Sequence, residues 1–182
     1  MASEFQRNKL RAMFDAFDAD GNGYLEQQDF EALTARWCRM PRVAGEPELA
    51  GRVESVMMGW WGHLAAAAGP GRDARIDMDG LLGVVDRLPA MRAETMATAD
   101  VVFDAVDDDR DGRISRTEHR RLIDAWHGRP VETGDVFDHL DQDGDGYLSR
   151  SEFAFLWTQF WTSDDPGDPG NLMCGPLGGG VA

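Results

Sequence analysis

Asp141-Gln142-Asp143-Gly144-Asp145-Gly146-Tyr147-Leu148-Ser149-Arg150-Ser151-Glu152 is the stretch on which the fold turns. Counted from 1 to 12, it carries carboxylates at positions 1, 3 and 5, a longer carboxylate at 12, and a main-chain carbonyl at 7. That donor set builds the all-oxygen shell a hard cation such as Ca²⁺ prefers. Gly146, at position 6, supplies the residue without Cβ that a sharp turn around an ion requires. Val136, Phe137 and Leu140 before the stretch, and Phe153, Leu156, Trp157, Phe160 and Trp161 after it, recur at helical spacing. The stretch therefore reads as a loop between two helices. Its ligand candidates are Asp141, Asp143, Asp145, the Tyr147 carbonyl and Glu152, with Ser149 acting through water.

The pattern repeats upstream with graded fidelity. Residues 107–118 form a complete second instance, with Asp107, Asp109, Asp111, the Arg113 carbonyl and Glu118 as candidates and Ser115 at position 9. Residues 18–29 give Asp18, Asp20, Asn22, the Tyr24 carbonyl and Asp29, so position 12 is one methylene short. Glu26, at position 9, is the residue expected to compensate, and the shorter acid predicts tolerance of Mg²⁺, which takes a smaller six-coordinate shell. A fourth repeat is recognisable only from Ile76 at position 8. Its ligand positions fall on Gly69, Gly71, Asp73 and Gly80, with Ala74 where the turn glycine belongs. One carboxylate does not hold calcium, so this loop is degenerate. Retention of Ile76 predicts that loops pair through their position-8 residues, Leu25 with Ile76 and Ile114 with Leu148.

Between the loops, Leu10, Met13, Phe14 and Phe17, then Phe30, Leu33 and Trp37, mark helices around the first loop. Met40-Pro41 is expected to end the second helix and 42–46 to form a connector. Pro47 then opens a helix over 47–68. Pro89 closes a further helix, and another begins near Ala93. Gly128 and Pro130 break the helix that leaves the loop at 107–118, and residues 162–182 read as a Pro- and Gly-rich tail without regular structure.

Six Trp, nine Phe and nine Met in 182 residues that are 42% hydrophobic supply a core despite a net charge of -15. That charge excludes nucleic acid and anionic membrane surfaces as partners and favours cations. No run reaches transmembrane length, and the amino terminus lacks the apolar segment of a secretory leader, so no membrane insertion and a cytoplasmic location are expected. Cys38 and Cys174 match no metal or redox spacing and read as free thiols. His63, His119, His127 and His139 show no zinc spacing, and no nucleophile is paired with a base, so the chain does not read as an enzyme. Arg110, Arg113, Arg116, Arg120 and Arg121 form a basic cluster that either balances the acidic loop locally or docks an acidic partner. Seventeen of the 18 basic residues are Arg, a bias of GC-rich coding and hence of a high-GC bacterium.

The twelve-residue loops resemble those of the EF-hand family. The order intact, degenerate, intact, intact, the long gap after the first loop, Asp29 followed by Phe30, and the tail Ser163-Asp164-Asp165-Pro166-Gly167-Asp168-Pro169-Gly170-Asn171-Leu172 resemble the calerythrin and sarcoplasmic calcium-binding protein group. The resemblance implies an all-α protein of four EF-hands in one compact body: an amino-terminal pair over 1–89, a carboxy-terminal pair over 90–162 and a tail over 163–182. It implies three Ca²⁺ and a role as calcium buffer or transporter. Two other roles stay open. A sensor would expose a Met- and Phe-lined groove to a target protein, with Leu172, Met173 and Leu177 of the tail placed to cover it. Coelenterazine-binding proteins and photoproteins share working hands 1, 3 and 4, which would make the chain a carrier of a hydrophobic ligand in a cavity lined by Trp60, Trp61, Trp126 and Trp157.

Overall fold

Each intact loop begins and ends with the same two local devices, and they set where the helices stop and start. In the computed structural model, which describes residues 3–68, 74–85 and 92–177, the position-1 aspartate closes the incoming helix. Asp18, Asp107 and Asp141 donate their N–H to Phe14, Phe103 and Phe137 at 2.8, 2.9 and 2.9 Å. Position 9 then serves as N-cap of the outgoing helix and position 12 as its third residue. Ser115 and Glu118, and likewise Ser149 and Glu152, form reciprocal capping boxes, in which each glutamate accepts the N-cap N–H at 2.8 Å. Asp29 accepts the Glu26 N–H in the same way, at 2.8 Å. The residues that suit a cation are thus also those that start a helix.

The helices run α1 Glu4–Phe17, α2 Gln27–Trp37, α3 Pro41–Gly45, α4 Pro47–Ala68, α5 Met78–Val85, α6 Arg92–Val106, α7 Arg116–His127, α8 Val136–Leu140 and α9 Arg150–Thr162. The only sheet among the described residues pairs β1 Arg113–Ser115 with β2 Tyr147–Ser149, antiparallel, with Ile114 opposite Leu148. Leu25 and Ile76 make the corresponding isolated bridge. Both predicted pairings are therefore present, and all four residues are 0–2% exposed. The fold is all-α, with EF-hand units arranged in pairs.

Two expectations need correction. The connector after Met40 is not irregular: Pro41 sits in the first turn of the short helix α3, where its missing N–H costs nothing, and Val43 is buried beneath it. The tail is ordered too. Pro169–Leu172 forms a 3₁₀ turn, and Gly170, Asn171, Met173 and Cys174 are buried. Proline and glycine there shape a packed strap and do not dissolve it. The expected end of α5 at Pro89 lies outside the described residues.

One continuous apolar core joins both halves. Phe17 of α1 lies 4.8 Å from Trp126 of α7, and Trp60 of α4 stacks on Trp157 of α9 at 6.1 Å. Arg36 of α2 donates to the Ala125 and Trp126 carbonyls at 3.1 and 3.2 Å, capping the carboxy-terminal end of α7 from the other half of the chain. Gly128 terminates α7 with φ 68°, the left-handed conformation glycine tolerates.

Candidate metal centre

The spacing Asp-x-Asp-x-Asp/Asn-Gly works because each short acidic side chain folds back on the loop's own N–H groups. The position-1 carboxylate accepts from the position-6 glycine: Gly23 to Asp18 at 2.8 Å, Gly112 to Asp107 at 3.2 Å and Gly146 to Asp141 at 2.9 Å. Position 3 accepts from position 5 at 3.1, 3.1 and 3.3 Å, and position 5 accepts from position 7 at 2.8, 2.9 and 2.8 Å. The turn glycines adopt φ of 83°, 81° and 86°. These turns spend one face of each side chain on the backbone and bring the others together. In each loop, three carboxylates bring ligand oxygens within 4.8 Å of one another: Asp18, Asp20 and Asp29; Asp107, Asp109 and Glu118; Asp141, Asp143 and Asp145.

Position 12 distinguishes the loops. Glu118 spans the loop, accepting from the Asp108 and Ser115 N–H groups, both at 2.8 Å. Asp29 makes the same span despite its missing methylene, accepting from Ala19 at 3.1 Å and Glu26 at 2.8 Å. Glu152 accepts from the Ser149 N–H at 2.8 Å and the Ser149 hydroxyl at 2.6 Å, and its carboxylate stands outside the three-aspartate group of its loop. Ser115 and Ser149 cap helices. Glu26 has partners of its own: one oxygen pairs with Arg75 at 2.7 Å, and the other accepts from Asn22 and Gln28 at 2.9 and 3.1 Å. Of the other candidates, Asn22, Tyr24, Asp111 and Arg113 are exposed and Tyr147 is half-buried.

Burial raises the cost of leaving these charges uncompensated. Desolvation pushes the Asp29 and Asp107 carboxyls above the usual carboxylate range, against the hydrogen bonds that lower them. Asp107 is 3% exposed, and its Oδ1 is buried without any hydrogen-bond partner in the protein. A buried orphan oxygen beside two further carboxylates suits a bound cation, so the donors present fit Ca²⁺.

Among the described residues, the degenerate loop contributes to no such group. Gly69, Gly71 and Asp73 lie outside the described residues, and Gly80 falls inside α5, its N–H donated to Asp77 at 2.9 Å. Of the basic cluster, Arg110 pairs with Glu46, Arg113 with Asp111, Arg116 with Asp138 and Arg121 with Asp108, which is local charge balance. His119 is buried and bonds the Met173 carbonyl at 2.9 Å, and burial holds its pKa down at about 4. His127 bonds the Cys174 carbonyl at 2.9 Å. Cys38 and Cys174 are free thiols.

Sequence reasoning missed Lys9. The sole lysine is 1% exposed, and its ammonium donates to the Ser163 carbonyl at 2.8 Å and to Asn171 Oδ1 at 3.0 Å, tying α1 to the tail. Its position one turn before Met13 on the apolar face of α1 was the available signal. Also unforeseen in shape is an apolar cavity of about 240 Å³ between α1, α2, α4, α5, α6 and α9, lined among others by Phe17, Phe30, Trp60, His63, Leu81 and Trp161. Of the four tryptophans expected to line it, Trp60 does; Trp61, Trp126 and Trp157 pack into the surrounding core. Among the described residues, no helix is long and apolar enough to cross a membrane.

Models of known families agree with this geometry. An EF-hand domain pair matches residues 2–36 and 132–159, and an EF hand matches 98–123. A luciferin-binding protein of Renilla reniformis is 25% identical over 126 residues, covering 66% of this chain and 65% of the relative, so the chain spans just under two thirds of that protein's length. Among solved structures, a sarcoplasmic calcium-binding protein from amphioxus shares the fold with TM-score 0.72 at 18% identity, over 97% of this chain and 99% of that one. The calcium-loaded apo form of the coelenterazine-binding protein from Renilla muelleri does so with TM-score 0.62 at 23% identity, over 96% and 99%.

Proposed function

We propose that this EF-hand calcium-binding protein holds three Ca²⁺, in the loops at 18–29, 107–118 and 141–152, and acts as a calcium buffer or transporter of the calerythrin kind. Asp18, Asp20, Asn22, Asp29 and the Tyr24 carbonyl would hold the first ion, which also admits Mg²⁺. Asp107, Asp109, Asp111, Glu118 and the Arg113 carbonyl would hold the second, and Asp141, Asp143, Asp145, Glu152 and the Tyr147 carbonyl the third. The ions supply counter-charge to carboxylates that otherwise repel.

The observation that carries a buffer over a sensor is the strap. Met173 is fully buried, and its carbonyl is held by His119, so the chain's own tail occupies the face that a sensor would present to a target. Among the described residues, the only large hydrophobic side chains left exposed are Tyr24 and Phe155. A calorimetric Ca²⁺ titration with and without Mg²⁺, followed in parallel by a hydrophobic dye, tests this. The expected result is three equivalents bound with unchanged dye emission. Brightening on addition of Ca²⁺ would favour the sensor.

A second reading rests on the apolar cavity beneath Trp60 and Trp161. It supports carriage of a small hydrophobic ligand, as the names of the Renilla relatives suggest for those proteins. Quenching of tryptophan fluorescence by coelenterazine, saturating at one equivalent, is the expected sign. No quenching would remove this reading and leave the buffer untouched.

A further inference from the structure

The third EF-hand loop differs from the other two intact ones in having a guanidinium from another part of the chain against its first ligand. Arg42, on α3, donates through Nη1 to the main-chain carbonyl of Asp107 at 2.8 Å, and the same nitrogen lies 3.6 Å from Asp107 Oδ2. Its side chain is 15% exposed and that of Asp107 4%, so solvent screens this pair poorly. Arg42 is fixed from behind as well: its Nε donates to Glu46 at 3.2 Å, and Glu46 in turn pairs with Arg110 of the same loop. The equivalent residues have different surroundings. Asp18 accepts from the N–H groups of Asn22 and Gly23, and Asp141 from those of Gly144 and Gly146, all within their own loops. No ion pair to either aspartate occurs among the described residues.

We propose that Arg42 is a resident counter-charge that lowers the cation affinity of the loop at 107–118, so that this site fills after the one at 141–152. The inference rests on the reading of these loops as calcium sites. Its physical basis is twofold. In the ion-free loop, the guanidinium stabilises the Asp107 carboxylate and so removes part of the repulsion that a cation would otherwise relieve. With an ion present, the guanidinium stands within about 8 Å of a double positive charge, given a ligating distance of about 2.4 Å, and opposes it. Both effects act in the same direction. Arg113, paired with the position-5 ligand Asp111 at 3.2 Å, adds to the bias from within the loop, but it is 48% exposed and correspondingly screened. Arg42 also links the site to α3, and α3 joins the two helices α2 and α4 of the amino-terminal half. Occupancy of the third loop is thereby coupled to the anchoring of that connector.

The turn glycines provide a site-resolved readout, because the Gly23, Gly112 and Gly146 N–H groups each donate to the position-1 carboxylate of their own loop. ¹⁵N-labelled full-length protein is titrated with Ca²⁺, and the three glycine amide resonances are followed in the wild type, Arg42→Gln, Arg42→Met and Arg42→Lys. In the wild type, Gly146 is expected to respond at lower Ca²⁺ than Gly112. In Arg42→Gln the midpoint for Gly112 is expected to fall about tenfold, with Gly146 and Gly23 moving less than about threefold, and Arg42→Lys stays near the wild type. Arg42→Met repeats the neutral substitution with the aliphatic stem retained, so that misfolding of one variant does not decide the outcome. An unchanged or raised Gly112 midpoint in the neutral variants overturns the role of Arg42. Glycine resonances that ignore Ca²⁺ in the wild type would instead overturn the calcium reading itself.

Discussion

Leu25 and Ile76 exchange both of their backbone hydrogen bonds, the Leu25 N–H to the Ile76 carbonyl at 2.8 Å and the reverse at 3.0 Å. A loop with no ligand group left among its described residues therefore still aligns the first loop's backbone. Ile76→Ala removes a side chain that is 2% exposed and should lower stability by about 3 kcal/mol. It should also weaken the first cation site while sparing the two in the carboxy-terminal half. Chemical denaturation and a Ca²⁺ titration read at Gly23 check both parts.

Ile114 and Leu148 form the matching contact in β1 and β2. Glu152→Gln takes the long carboxylate from the last loop and is expected to abolish cation binding there. Through the strand pair it should also weaken the site at 107–118, and it should leave the site at 18–29 nearly unchanged. Calorimetry would show one equivalent lost and one weakened. Equal loss at all three would mean that the pairs are not the cooperating units.

Asp29→Glu restores the usual length at position 12. Because Glu118 spans the same two backbone N–H groups in its own loop, the first loop has a geometry that admits the longer acid, at a packing cost of about 1 kcal/mol. The preference for Ca²⁺ over Mg²⁺ at this site should rise. Competition calorimetry measures the ratio, and unchanged selectivity would detach it from side-chain length.

Gly170 lies so close to α9 that a Cβ there would stand 2.6 Å from the Leu156 carbonyl oxygen. Gly170→Ala should lift the strap and destabilise the protein by about 2 kcal/mol. Cys174 is buried, and burial raises its thiol pKa well above the ordinary value. Its modification by a thiol reagent should be slow in the wild type and at least several-fold faster in the variant. Cys38, which is half-buried, serves as the internal reference.

Burial depresses the Lys9 ammonium from 10.5 to about 8, against the attraction of Asp164 and Asp168. Between those two pH values the unfolded chain binds a proton that the folded chain has released. Stability contributed by this group therefore rises with pH across the window from 8 to 10.5, by about 3 kcal/mol at most. Lys9→Met should remove that rise. Denaturation midpoints at intervals from pH 7.5 to 10.5, compared between the two proteins, isolate the slope.

The turn glycines with positive φ and the three clustered carboxylate sets were legible in the chain because their partners lie within twelve residues of one another. Over such distances, local geometry leaves few alternatives, and one periodic pattern specifies helix end, turn and helix start together. Even the pairing of loops followed, since an apolar residue at position 8 has no local contact that would otherwise bury it. The short helix α3 and the packed strap were misread because proline and glycine signal a break in a helix without saying whether the broken segment packs.

Sequence alone determined the loop spacing that gathers three carboxylates at each of 18–29, 107–118 and 141–152. Tertiary structure alone decided what surrounds those loops. Arg42 meets Asp107 across 65 positions, His119 meets Met173 across 54, and Lys9 meets Ser163 across 154. None of these contacts has a period or a spacing to betray it, because each depends on how separate helices fold back over a shared core. A guanidinium against Asp107, a lysine under a strap and an apolar cavity lined by Trp60 and Trp161 are consequences of that packing.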